Sequence, residues 1–74
     1  MDIIERLRIN LRRLRLQKGW SQEELAGEAG IHRTYVSDLE RGARNPTITI
    51  IDKLAVTLDV PVGALLDMDQ PRPE

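Results

Sequence analysis

Residues 22–42 read QEELAGEAGIHRTYVSDLERG, and this stretch decides the fold. It divides into two short helical segments, Gln22 to Ala29 and Arg33 to Arg41, with Gly30, Ile31 and His32 between them. Leu25, Ala29, Val36 and Leu39 supply apolar positions at helical spacing. Ala26 is small where one helix must cross close under the other. Gly30 stands at the end of the first segment, where a helix terminus wants left-handed backbone that glycine adopts without steric cost. Two helices joined by so short a turn form a helix-turn-helix, whose angle lets the second helix project into a groove of duplex DNA. A bulky residue at Ala26 or a β-branched one at Gly30 is expected to damage that angle.

Ser21-Gln22-Glu23-Glu24 opens the first of these helices as a capping box. The Ser21 hydroxyl can accept from the amide of residue 24, and Glu24 can reach back. Gln22 lies at the same positive end, where it can meet a phosphate or simply stay an exposed polar residue. In the second helix Val36 and Leu39 face inward, while Arg33, Thr34, Ser37, Asp38 and Arg41 face outward. Arg33 and Ser37 are four apart and share a face, with Thr34 beside them. These are short or forked hydrogen-bonding groups near the helix N-terminus, the end that enters a major groove. Arg33 has the fork for a guanine edge, and the Thr34 methyl suits a thymine methyl. Tyr35 is either half-buried and structural or a contact to DNA. His32 is a poorer N-cap than Ser or Asp.

Further out, Ile4, Leu7, Leu11 and Leu14 form the apolar stripe of a first helix, expected over Ile3 to Lys18. Gly19 ends it, and Trp20 is expected in the core rather than stacked on a base. Glu40 has Arg15 as its candidate ion-pair partner, with Arg12 as the alternative. After Gly42, Pro46 blocks helix at Asn45 and marks a loop from which Arg44 and Asn45 can reach a phosphate. Thr47 is the expected N-cap of a fourth helix, Ile48 to Leu58, and Pro61 opens a fifth, Pro61 to Leu66. Ile48, Ile50, Val60, Val62, Leu65 and Leu66 are more apolar surface than so short a chain is expected to hide. Of these, Ile50, Val60, Val62 and Leu66 form the expected self-association patch. The tail, residues 67–74, holds two prolines and three acids and is expected to be disordered.

Seventy-four residues allow one small domain, expected over residues 1–66, with a core so small that economy or association is required. Strand-type alternation and hairpin dipeptides are absent, which leaves an all-α reading. No run approaches the length of a membrane span, and MDIIERLR lacks a signal-peptide core. The start at Met1 fits either a complete protein or the N-terminal domain of a longer one. The net charge of -1 is unevenly spread. From Arg6 to Lys18 there are six basic residues and no acid, which suits DNA contact or a solvated helix face equally. There is no cysteine and a single histidine, so no metal set and no nucleophile–base pair is legible, which argues against an enzyme and for no cofactor.

The chain resembles the lambda-repressor-like, Xre-type helix-turn-helix regulators of bacteria and phages. The segments that carry this are LRRLRLQKGWSQEELAGEAG, GIHRTYVSDLERG and PTITIIDKLAVTLDVPVGALL, spanning Leu11 to Leu66. RTYVSDLERGARN is most similar to the controller proteins of restriction-modification systems. The resemblance implies a cytoplasmic five-helix bundle that binds a near-palindromic operator as a homodimer. Arg33, Thr34 and Ser37 would face base edges, and Tyr35 the backbone or deformed central DNA. Gln22, Arg44 and Asn45 would hold phosphates, Arg15 and Glu40 would form a structural pair, and helices 4 and 5 would carry the dimer contact. RNA polymerase joins operator DNA and a second copy among the candidate partners. Two positions depart from the family pattern. His32 stands where a better cap is usual, and Asp38 is an acid on the outward side that can accept from cytosine, pair with a nearby arginine, or repel phosphate. A protein-interaction module on the same bundle, such as an antitoxin, is the alternative, favoured by the near-zero net charge.

Overall fold

One turn-ending device, a left-handed residue just past the last turn, recurs along the chain and sets where the first four helices stop. The computed structural model describes residues 1–68. They form α1 (Ile3–Gln17), α2 (Gln22–Ala29), α3 (Arg33–Glu40), α4 (Ile48–Leu58) and α5 (Gly63–Leu66), with no strand among the described residues. At the end of α2, Gly30 is left-handed (φ 71°), and the Ile31 N–H reaches back to the Ala26 carbonyl at 3.0 Å. At the end of α3, Gly42 is left-handed (φ 72°), and the Ala43 N–H donates to the Asp38 carbonyl at 2.9 Å. These are Schellman closures, which satisfy carbonyls the helix leaves without partners. The end of α4 is closed the same way, but through Asp59 at φ 61°, with Val60 N–H donating to the Ala55 carbonyl at 2.9 Å.

Three expected boundaries are corrected, two of them by this device. Lys18 and Arg41 are not helical residues but the caps that precede the left-handed glycines, so α1 stops at Gln17 and α3 at Glu40. Regular helix in α5 begins at Gly63 rather than Pro61. Ahead of it, the Pro61 and Val62 carbonyls accept from Ala64 and Leu65 at 3.0 Å, the tighter three-residue spacing that leaves room for a single α-turn. The starts agree with local chemistry. The Ser21 hydroxyl accepts from Glu24 N–H at 3.0 Å while the Glu24 carboxylate accepts from Ser21 N–H at 2.8 Å. Thr47 Oγ1 accepts from Ile50 N–H at 3.3 Å. Asp2, which the sequence reading passed over, caps α1 by accepting from Glu5 N–H at 2.9 Å.

The core is built from one stripe of each helix. Leu11, Leu25, Val36, Leu39, Leu54 and Leu65 are all but inaccessible. Each leucine so buried contributes about 1.5–3 kcal/mol relative to exposure, so a chain this short depends on most of them. Trp20 and Tyr35 pack partly buried against this cluster.

Asn10 shares the stripe with the leucines and is 2% exposed. Its Nδ2 donates to the Leu65 and Asp67 carbonyls at 3.1 and 2.9 Å. Arg6 Nε donates to the Leu66 carbonyl at 2.8 Å. Together these side chains take up the carbonyls at the end of α5 and tie the fifth helix to the first. The carbonyl of Asp67, the first residue of the expected disordered segment, is thus tied to α1, and residues 69–74 of that segment lie outside the described residues.

The patch expected from Ile50, Val60, Val62 and Leu66 is half-covered, because all four pack against the core cluster. The large apolar side chains that α4 leaves outside are instead Ile48 and Val56, 78% and 71% exposed. They belong to one i, i+4, i+8 row with exposed Asp52 between them.

Candidate nucleic-acid interface

The orientation of α3 is fixed from beneath before anything on its surface matters. Val36 and Leu39 are buried against Leu25, Ala26 and Ala29 of α2 and the stripe of α1. Ala26 is 3% exposed, so a larger side chain there has no room without moving a helix. The second restraint is electrostatic. Arg15 of α1 makes a forked contact with Glu40 of α3, Nε to Oε2 at 2.6 Å and Nη2 to Oε1 at 2.9 Å. Its remaining terminal nitrogen donates to the Trp20 carbonyl at 2.8 Å. Both side chains are nearly inaccessible, at 8% and 3%. The hydrogen bond to Glu40 holds the guanidinium even more firmly protonated than usual. Arg12, the alternative partner, is exposed and takes no part in this pair.

Gln22 joins the same network. Its amide nitrogen donates to Glu40 Oε1 at 3.1 Å, and the residue is half-buried. It is therefore not the merely exposed polar residue that composition allows. One side-chain N–H is committed to the ion pair, and the amide group retains a second donor and its acceptor.

Held this way, α3 turns Arg33 and Thr34 fully outward, with Ser37 half-buried behind them. His32 has its extended cap backbone in place but makes no side-chain capping bond. Tyr35 lies half-buried at the edge of the same surface. Its ring carries the Arg44 guanidinium 4.5 Å from the centroid, a cation–π contact that reaches across from the loop after α3. Asn45 is exposed beside it.

Asp38 sits between two cations. Arg41 pairs with one carboxylate oxygen, and Arg44 Nη2 lies 3.2 Å from the other. Hydrogen bonds from Arg44 and then Arg41 hold this carboxyl below its ordinary value, so it is charged at neutral pH. Of the three roles the sequence left open, pairing with nearby arginines is the arrangement adopted. That Arg44 is one of those arginines, seated on the Tyr35 ring, was not read from the sequence. The signal was present in the spacing, since Tyr35 and Asp38 are three apart on one helix face and Gly42 turns the chain back toward them.

Among the described residues there is no cluster of metal-ligating side chains, and no helix is long and apolar enough to cross a membrane. What the geometry defines is an all-α protein with a rigid helix-turn-helix whose outward face is polar and cationic. The chain belongs to the HTH_3 helix-turn-helix family, which matches residues 11–65. Control protein C.BamHI of Bacillus amyloliquefaciens is 48% identical over 58 residues, covering 77% of this chain and 72% of that protein. A hypothetical transcription factor of Neisseria meningitidis serogroup B is 45% identical over 71 residues, covering 96% of this chain and 67% of that protein. The crystal structure of a Neisseria hypothetical transcription factor superposes with a TM-score of 0.86 at 46% identity, over 88% of this chain and 75% of that one. The restriction-modification controller protein C.Esp1396I, solved as a tetramer in complex with its natural 35 base-pair operator, superposes with a TM-score of 0.77 at 33% identity. That match covers 82% of this chain and 80% of the controller.

Proposed function

We propose that this protein is a sequence-specific transcriptional regulator that binds double-stranded DNA as a homodimer on a near-palindromic operator, in the manner of restriction-modification controllers. The observation that carries this is the two-sidedness of α3. Its apolar side is sealed into the core and clamped by Arg15–Glu40, while Arg33 and Thr34 stand clear at its N-terminal end. In a major groove the Arg33 fork meets a guanine O6/N7 edge, the Thr34 methyl a thymine methyl, and the Ser37 hydroxyl either kind of edge. Arg44, Asn45 and Tyr35 engage the sugar-phosphate backbone alongside, and Gln22 uses its remaining amide donor from the end of α2. Residues 1–66 carry this activity as one unit without catalysis or cofactor. The setting is the cytoplasm, where the operator and RNA polymerase are found together.

Self-association falls to α4 and α5. Ile48 and Val56 stand exposed on one row of α4, with Asp52 between them, and Ile50, Val60, Val62 and Leu66 keep part of their surface accessible. A two-fold pair presents two copies of α3 about 34 Å apart, one turn of duplex. Selecting bound duplexes from a random pool tests the proposal as a whole. Enrichment of a near-palindrome with half-sites one turn apart is expected. A pool that stays random, or an enriched site without symmetry, overturns it.

A further inference from the structure

α3 carries two acids, and they do different things. Glu40 is buried under the helix and locks it to α1. Asp38 lies on the outer side, where an unpaired carboxylate would repel a phosphate backbone. It is not unpaired. The closure at Gly42 folds the following residues back along α3, so that Arg44 lies over the Tyr35 ring and against Asp38 while Arg41 takes the other carboxylate oxygen. The Asp38 side chain is only 17% exposed, whereas those of Arg41 and Arg44 are 64% and 46% exposed. Two cations therefore surround one largely covered anion on the surface proposed to meet DNA.

We infer, granting the DNA-binding role proposed above, that Asp38 is a specificity-determining residue. Its carboxylate withholds Arg41 and Arg44 from indiscriminate phosphate contact and sets the direction of Arg44 on the Tyr35 ring. Binding to random sequence is built almost entirely from cation–phosphate pairs and the counterions they release. Arg41 or Arg44 enters such a pair only by giving up Asp38 or sharing its charge with it. At a matched site, α3 is drawn into the groove by its base contacts, and a phosphate then arrives where Arg44 already points. Asp38 thus lowers affinity for random DNA more than affinity for the operator.

The test compares the full chain with its Asp38→Asn and Asp38→Glu variants. Each is titrated across a salt series against two probes: the duplex enriched from a random pool, and a random-sequence duplex of equal length. Asp38→Asn is expected to bind random sequence roughly threefold to tenfold more tightly near about 50 mM salt, with a salt slope steeper by about one. Its affinity for the enriched duplex changes by less than about threefold, so discrimination falls. Asp38→Glu keeps the charge and retains the wild-type ratio. Loss of an acid near the carbonyl end of a helix suits the helix dipole, and circular dichroism is expected to confirm unchanged helicity. An unchanged random-sequence affinity and slope, or an equal gain on both duplexes, overturns the inference while leaving the DNA-binding proposal standing. A wild-type chain that binds neither probe, or both equally, overturns both together.

Discussion

α2 and α3 leave none of the exposed large apolar side chains of the described residues on their own surface, whereas α4 leaves Ile48 and Val56 standing out. The first pair of helices is sealed from below, with Leu25, Ala29, Val36 and Leu39 buried and with Arg15, Gln22 and Glu40 joined in a hydrogen-bonded network. Its outward surface holds Arg33, Thr34, and the cations gathered by Asp38. α4 buries Ile51, Leu54, Ala55 and Leu58 in the same core but keeps Ile48 and Val56, with Asp52 between them, on the other side. On the function proposed above, the difference separates two kinds of surface on one small bundle. A face meant for a hydrated polyanion gains from rigidity and charge, while a face meant for a second copy gains from apolar area left uncovered.

Breaking the clamp under α3 should have the largest effect. Glu40→Ala leaves the Arg15 guanidinium buried without its partner, and a loss of about 3–5 kcal/mol in denaturant-monitored stability is expected. Replacing both partners by apolar residues, Arg15→Met with Glu40→Leu, should recover most of that loss. A cost below about 1 kcal/mol for Glu40→Ala would put the pair among ordinary surface ion pairs, and α3 would owe its placement to packing alone.

Arg33→Ala separates recognition from folding. It should weaken binding to the enriched duplex by about 1–3 kcal/mol and relax the preference at one position per half-site. Stability should stay within about 0.5 kcal/mol, since the side chain is exposed. A mutant that keeps its base preference would remove Arg33 from the reading face. On the opposite side of the comparison, Val56→Asp should weaken self-association about tenfold, near 1.4 kcal/mol, as followed by sedimentation. Monomer stability should hold, because Val56 is 71% exposed. If the dimer survives unchanged, the row on α4 is not the surface of association.

The smallest effect concerns acid. Because Arg44 and Arg41 depress the folded-state pKa of Asp38, its contribution to stability is present above the unfolded carboxylate value and is lost as pH falls through the lower folded one. Carboxyl resonances followed by NMR should place its midpoint below those of ordinary aspartates. An ordinary midpoint would mean that the Asp38 cluster does not persist in solution.

Much of this molecule is legible in its sequence alone, for reasons that can be named residue by residue. The capping box joins Ser21 and Glu24, three residues apart, the Gly30 turn is a single backbone requirement, and the leucine stripe of α1 repeats within one helix. Local interactions write themselves into local spacing. The Arg15–Glu40 contact joins residues 25 apart; charge and helix order made Arg15 a candidate partner but left Arg12 open beside it, and the resemblance pointed to Arg15.

By itself, then, the sequence determined the five helices to within a few residues at their ends, the outward turn of Arg33 and Thr34 on α3, though not the partial burial of Ser37 and Asp38 beside them, and the family. Tertiary structure decided the rest. It turned Asn10 from one more polar residue of α1 into the anchor of α5, and it drew Gln22 into the ion pair beneath α3. It covered part of Ile50, Val60, Val62 and Leu66 while leaving Ile48 and Val56 outside. It also set Arg44 against Tyr35 and Asp38. Each of these depends on how elements distant in the chain are brought together. A helical period fixes which way a side chain faces relative to its own axis, but only the packed bundle fixes what it finds there.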